Sequence, residues 1–396
     1  MKRIKISLLL QVVIAIVAGV LFGQFLPKDI ARLFVTFNAL FGNFLVFAIP
    51  LIILGLVTPA IGELGKGAGR LLLVTALIAY GSTIFSGFFT YFSASSIFPH
   101  ILPANTELAA IDHADNILLL PYFKVDMPPL MDVMTSLLLA FCIGLGLSAI
   151  KGNTLRDGFN DFHEIVSKLI AAVIIPLLPL HIFGIFLNMT VSGQVMEVIG
   201  LFLKVILVIF VLHVLLLLIQ FILAGVVSRK NPITLLKNML PAYATALGTQ
   251  SSAATIPVTL AQTRKNGVSE SIATFVIPLC ATIHLSGSMM KITACAMAIM
   301  YMGDLPVTMS AYAGFIMMLG ITMVAAPGVP GGAIMAALGL LQSMLGFDET
   351  LQALMIALYI AMDSFGTACN VTGDGAIAIG VDQINGWFQR KQTIVK

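Results

Sequence analysis

The stretch GTQSSAATIP, from Gly248 to Pro257, interrupts an apolar run that extends over about residues 233–262. A second interruption, APGVPGG from Ala326 to Gly332, divides the run 305–347. Proline and glycine break the helical hydrogen-bond ladder, and a neighbouring serine or threonine caps the half-helix that follows. Each run therefore reads as two short helices folded back on each other. Composition decides which solvent surrounds them. Of 396 residues, 59% are hydrophobic and only 10% charged, whereas a soluble domain carries about 25% charge. Irregular backbone at membrane depth survives only where it lines a cavity or is buried in protein. The two runs are accordingly read as re-entrant hairpins, one entering from each side of a bilayer.

Working outward, eight more runs have spanning length. They are the N-terminal segment MKRIKISLLLQVVIAIVAGVLFG, then 33–60, 70–98, 128–150, 163–188, 198–228, 268–302 and 350–381. The first lacks a small-x-small cleavage site, so it reads as a retained helix and not a removed signal. Basic residues cluster at Lys2, Arg3 and Lys5, at Lys66 and Arg70, at Lys151, Arg156 and Lys168, from Arg229 to Lys265, and at Arg390 and Lys391. Every group falls on the cytoplasmic side if both termini are inside. The expected fold is an all-α polytopic membrane protein with eight transmembrane helices and two re-entrant hairpins. Hairpin followed by helix occurs twice, at 233–302 and 305–381, and such paired interruptions are the best sequence pointer to a transporter's binding site. The four cysteines lie in apolar runs without metal-ligand spacing and read as packing residues. No basic patch with interleaved aromatics suggests nucleic acid.

The last span carries MDSFGTACNVTGD, Met362 to Asp374. An ionisable group at the bilayer centre costs roughly 2.5 to 3.5 kcal/mol on insertion scales, and the default reading is functional. Asp363, Thr367, Asn370 and Asp374 stand at i, i+4, i+7 and i+11, one face of a helix. At 1.5 Å per residue the two aspartates lie about 16 Å apart along the axis, too far to share one proton or one small ion. The bland alternative is that backbone groups or a lysine cap each carboxylate and merely fix packing. The seventh span carries ATIHLSGSMMK, Ala281 to Lys291, in which Ser286, Gly287 and Ser288 are expected to unwind a turn and free carbonyls for a hard cation. His284 reads either as an interhelical donor or as a proton carrier. Lys291 reads either as a snorkelling side chain or as a functional cation. Ser251 and Ser252 lie where a half-helix N-terminus attracts an anion such as a carboxylate. Together these residues suit a small zwitterion or anion with a cation alongside.

In order and spacing, NVTGD (Asn370 to Asp374), SSAATIP at the first hairpin tip and GVPGG at the second resemble the dicarboxylate/amino acid:cation symporters, the glutamate transporter family. The resemblance implies a homotrimer in the cell (inner) membrane, in contact with lipid and without a covalent cofactor. It implies a scaffold of residues 1–69 and 99–197, a mobile transport domain of 70–98 and 198–385 that moves as an elevator, and a basic tail at 386–396. It assigns Asp363 to a substrate's α-amino group, Asn370 to its α-carboxylate and Thr367 to a substrate-site hydroxyl. Gln250, Ser251, Ser252, Ser288, Gly328, Val329 and Pro330 also fall in the substrate site. Asp374 and the Asn370 carbonyl match sodium ligands, with Ser82 and Thr83 at another sodium site and His284 and Ser286 at positions of ion-binding residues.

Departures from the family pattern are as telling. Where the family usually has Asn-Met-Asp-Gly-Thr, this chain has His284, Leu285, Ser286, Gly287 and Ser288, which implies fewer sodium ions and a proton contribution. Where acidic-substrate members carry an arginine on the last helix, this chain has Gly366. Lys291 stands at a position usually aromatic, so the cation lost from one helix is regained from its neighbour. Lys291 is expected to point into the substrate site. There it either binds a side-chain carboxylate, with an acidic substrate, or stands in for a lost sodium, with a neutral one. The rival classes are an intramembrane protease and a passive channel. An aspartyl protease needs two carboxylates close together on facing helices, and Ser288 with His284 at i and i+4 is too local for a peptide cleft.

Overall fold

The computed structural model describes residues 8–64, 70–102, 119–191, 193, 195–303, 305–326 and 331–395. Lys2, Arg3, Lys5 and Lys66 lie outside the described residues, as do Gly328, Val329 and Pro330 of the second hairpin tip. The described residues are mainly helical, with an irregular stretch over 119–132 and otherwise short connections. In order the helices are α1 (Leu8–Gly23), α2 (Lys28–Leu64), α3 (Arg70–Ile101), α4 (Val133–Ala149), α5 (Thr154–Leu169), α6 (Ile175–Val191), α7 (Val195–Ser228), α8 (Pro232–Thr249), α9 (Ser252–Lys265), α10 (Glu270–Ile283), α11 (Ser286–Met302), α12 (Met309–Val324), α13 (Gly332–Leu345), α14 (Glu349–Ala361) and α15 (Asp363–Val395). A π-helical turn at Ile170–Ile174 joins α5 to α6 without a break.

Five helical segments are long and apolar enough to cross a bilayer, and a sixth if the bent pair α14–α15 counts as one. Two of the expected spans are shorter in the described helices, α1 with 16 residues and α4 with 17. The large exposed side chains are those a bilayer accepts: Leu73, Leu77, Phe85 and Phe92 on α3, and Leu203, Leu207, Ile222 and Val226 on α7. In water such faces would drive aggregation. Helix α11 is the opposite case. Every side chain from Ser286 to Met300 is buried, so α11 has no lipid-facing side and lies at the centre of the molecule.

Both expected hairpins form. Helices α8 and α9 pack on each other, as do α12 and α13. The turn of the first is made by Gln250 in the left-handed conformation (φ 53°) and by Ser251, whose hydroxyl caps α9 by accepting from the Ala254 amide. At the second, Gly331 has φ +75°, a conformation that costs a side-chain-bearing residue but not glycine. Packing sorts the helices into two sets. Helices α1, α2, α4, α5 and α6 pack mainly among themselves, while α3 and α7–α11 gather around α15. The sets meet where α1 and α6 touch α14, where α2 touches α12 and α13, where α4 touches α13 and where α6 touches α7.

Two expectations need correction. The break in the seventh span falls at His284–Leu285, while Ser286, Gly287 and Ser288 form the first turn of α11. The last span is not one straight helix but bends by 61° at Met362, so Asp363 becomes the first residue of a new helix. That helix continues through residues 386–395.

Candidate functional site

The polar stripe is confirmed as one buried face of α15. Asp363, Thr367, Asn370 and Asp374 are all at most 8% exposed. At the bend, Asp363 sits in the first turn of α15, where the helix macrodipole favours a carboxylate. The capping helix ends are satisfied across helices. Asn370 Oδ1 accepts from the Gly287 amide at 2.7 Å and from the Ser288 amide at 3.4 Å. A helix that begins inside protein has orphan N–H groups to satisfy, and here a side chain of α15 supplies the acceptor.

Neither aspartate is alone, and their partners come from the seventh span. Lys291 Nζ lies 3.2 Å from Asp363 Oδ1, and His284 Nδ1 lies 2.8 Å from Asp374 Oδ1. The balance that the last span lacks in its own sequence is thus supplied by the helix beside it. Removing one member of such a pair would leave an uncompensated buried charge, which is why pairs of this kind are retained together.

Around the first pair, Lys291 Nζ also donates to the Met362 carbonyl at 3.3 Å and stands 3.7 Å from the centre of the Tyr359 ring. The second oxygen of Asp363 accepts from the Gly331 amide at 2.8 Å. Gln250 Nε2 donates to Ser364 Oγ at 2.9 Å. Both hairpins therefore touch the start of α15, at adjacent residues. Ser288 joins the cluster through its hydroxyl, which accepts from Tyr359 Oη and Asn370 Nδ2, each at 3.2 Å. Gly366 explains how a lysine fits here: a Cβ at Gly366 would lie 2.2 Å from Lys291 Cε and 2.4 Å from Nζ. Lys291 occupies the space the missing side chain leaves.

Around the second pair, Ser82 Oγ lies 3.0 Å from His284 Nε2. Gln220 Nε2 donates to Ser82 Oγ and to Ser286 Oγ, at 3.2 and 3.1 Å. Ser86 Oγ donates to the Ser286 carbonyl at 2.7 Å. Ser82, His284, Ser286 and Asp374 are thus brought together. As a sodium site the set is poor in free oxygen: the facing oxygen of Asp374 meets an imidazole nitrogen, and hard cations prefer oxygen ligands. No cluster of three His, Cys, Asp or Glu side chains occurs among the described residues, which leaves a transition metal without a donor set there.

Some expected residues stand apart. Thr83 and Thr367 bond back to their own helices, at the Ala79 and Asp363 carbonyls. Ser251 serves as a helix cap, and Ser252 is buried in the first turn of α9. Residues the sequence reading passed over are Tyr359, Ser364, Ser86 and Gln220. Gln220 had a signal, an amide inside the apolar run 198–228, and its Oε1 is buried without a hydrogen-bond partner.

The sodium:dicarboxylate symporter family matches the chain over residues 8–384. Similar proteins include excitatory amino acid transporter 3 of Oryctolagus cuniculus, 32% identical over 60% of this chain and 46% of its own length. Excitatory amino acid transporter 1 of Mus musculus is 30% identical over 59% of this chain and 44% of its own length. Excitatory amino acid transporter 2 of Homo sapiens is 28% identical over 60% and 41%. The aligned region spans less than half of the length of these relatives. With all-helical architecture, two interrupted hairpins and a match over nearly its whole length, the chain belongs to the sodium:dicarboxylate symporter family.

Proposed function

We propose that this protein is a secondary active symporter that takes up an amino acid or small dicarboxylate, coupled to Na+, H+ or both. The observation that carries the reading is the convergence of both hairpins on residues 363 and 364, beside a buried Lys291–Asp363 pair. Two broken hairpins closing over a charged centre can release it to either side in turn, which is what alternating access requires. Family membership supports sodium as a coupling ion. The placement of His284 between Asp374 and Ser82 supports fewer sodium ions and a contribution from protons, since an imidazole nitrogen stands where an oxygen ligand would and can carry a proton.

The set α3 and α7–α15 is the mobile transport domain in this reading, with α1, α2 and α4–α6 the scaffold, and movement is of the elevator kind. The working form is a homotrimer in the cell (inner) membrane with both termini cytoplasmic. Purified protein in proteoliposomes tests the proposal. Accumulation of a radiolabelled amino acid or dicarboxylate above its equilibrium level, driven by an imposed sodium or proton gradient, is the expected result. Equilibration without accumulation would make the protein a channel and overturn it.

A further inference from the structure

The ammonium at the centre of the site belongs to the protein. Lys291 comes from α11, which is buried on all sides, and its side chain is 1% exposed. Its three N–H directions are all engaged, by the Asp363 carboxylate, the Met362 carbonyl and the face of Tyr359. A carboxylate, a carbonyl and an aromatic face are the set that would otherwise hold the ammonium of a bound amino acid. Both oxygens of Asp363 are engaged, one facing Lys291 and the other accepting from the Gly331 amide, so the position a ligand ammonium would take beside it is filled by Lys291. The space that admits the lysine exists because Gly366 has no side chain.

We infer that Lys291 is a tethered stand-in for a substrate ammonium and is the specificity-determining residue of the site. The substrate is therefore a small carboxylate without an α-amino group. A ligand ammonium would have to displace the Lys291 charge and leave it buried without Asp363, a cost that an amine-free ligand avoids. A ligand carboxylate does not compete for Asp363. Its partners are the groups around the pair, Gln250, Ser288, Asn370 and the backbone amides where α9 and α13 begin. This rests on the symporter reading and narrows it to one substrate class.

The experiment compares matched pairs that differ in the amino group: succinate with aspartate, glutarate with glutamate, and lactate with alanine. Each is tested for stabilisation of the purified protein against heat and for gradient-driven accumulation in proteoliposomes. The amine-free member of at least one pair is expected to act at a concentration about tenfold or more lower than its partner. In Lys291→Met, with Asp363 released, the preference should fall or invert toward the amino acid. Gly366→Ala presses on Lys291 from the opposite side and should move the preference in the same direction, should the first variant fail to fold. Wild-type preference for the amino acid in every pair, or an unchanged ratio in the folded variants, overturns the inference and leaves the symporter standing. If none of the six compounds binds or accumulates, the symporter reading falls and the inference with it.

Discussion

The Lys291–Asp363 pair makes a quantitative claim about stability that needs no knowledge of the substrate. At 3.2 Å and an effective dielectric constant of about 20, the attraction is about 5 kcal/mol before desolvation is counted. Desolvation of two ions offsets much of this, so the pair contributes little net; breaking it is another matter. Lys291→Met leaves the Asp363 carboxylate buried without its counter-ion, with the Gly331 amide still donating to it. Asp363→Asn leaves an ammonium facing an amide. Each single change should cost about 3 to 5 kcal/mol, the usual penalty for an uncompensated buried charge. The double change removes both charges and should cost clearly less than the sum, giving a coupling energy of about 2 kcal/mol or more. Thermal unfolding in detergent can be followed with a thiol-reactive dye, because Cys280, Cys295 and Cys369 are buried and become reactive only as the helices part. Cys295 lies one turn beyond Lys291 and reports on that region directly. Single-variant losses below about 1 kcal/mol, or losses that simply add in the double variant, would refute the buried pair.

Three further outcomes follow from the same geometry. Gly366→Ala should destabilise by about 1 to 3 kcal/mol through overpacking against Lys291, and the same thermal assay in Gly366→Ala with Lys291→Met should show that loss largely relieved. Tyr359→Phe keeps the ring beneath Lys291 and loses the hydrogen bond to Ser288, at about 1 kcal/mol, whereas Tyr359→Leu also loses the cation–π contact, worth about 2 kcal/mol when desolvated; equal melting losses in the two would show that the ring contributes nothing. His284→Gln should flatten the response of uptake to an imposed proton gradient while the sodium response persists, and an unchanged pH response in proteoliposomes would remove the imidazole from coupling.

The hairpins were legible because their signal is local. Proline, glycine and serine interrupt apolar runs at 248–257 and 326–332, and no partner is needed to explain why a helix stops there. The breaks in the seventh and eighth spans were harder to place. Ser286, Gly287 and Ser288 looked like an unwound turn, yet they begin α11 because Asn370, some 83 residues away in sequence, caps their amides. A cap supplied across helices leaves no mark beside the residues it caps. The bend at Met362 is similar, since Asp363 is held there by Lys291 and Gly331 from two other helices. The exchange of a bulky position at 366 for a lysine at 291 could be read from paired departures, because each was odd alone and sensible with the other. The bland alternative, a lysine and a backbone group on the carboxylate, is what Asp363 shows, but that the lysine would be Lys291 was not legible, since its distance to a ligand and to a carboxylate depend on the same rotamer choice.

The pairing of charges also limits which surfaces can slide. The two buried carboxylates of α15, Asp374 and Asp363, are matched by bases on the segment α10–α11, at His284 and Lys291. Moving α15 by even one turn past α11, about 5.4 Å, would break the His284–Asp374 hydrogen bond and part Lys291 from Asp363 in a medium of low dielectric constant, leaving those two charges to their desolvation cost. The hydrogen bonds of Gln220 add α7 to the same body through Ser286, and Ser82 adds α3 through His284. The hairpin contacts are of a different kind. Among the described residues Gln250 holds Ser364 by one neutral hydrogen bond and Gly331 holds Asp363 by a single amide, while the first hairpin also packs along α15 through Met239, Ala242 and Ala246. The contacts of α2 with α12 and α13 run through apolar side chains such as Ile49, Ile52 and Ile53. A surface without fixed polar partners has no pairs to break when it shifts. Among the described residues α3, α7, α10, α11 and α15 are thus held as one bonded unit, whereas α2 meets α12 and α13 through apolar side chains.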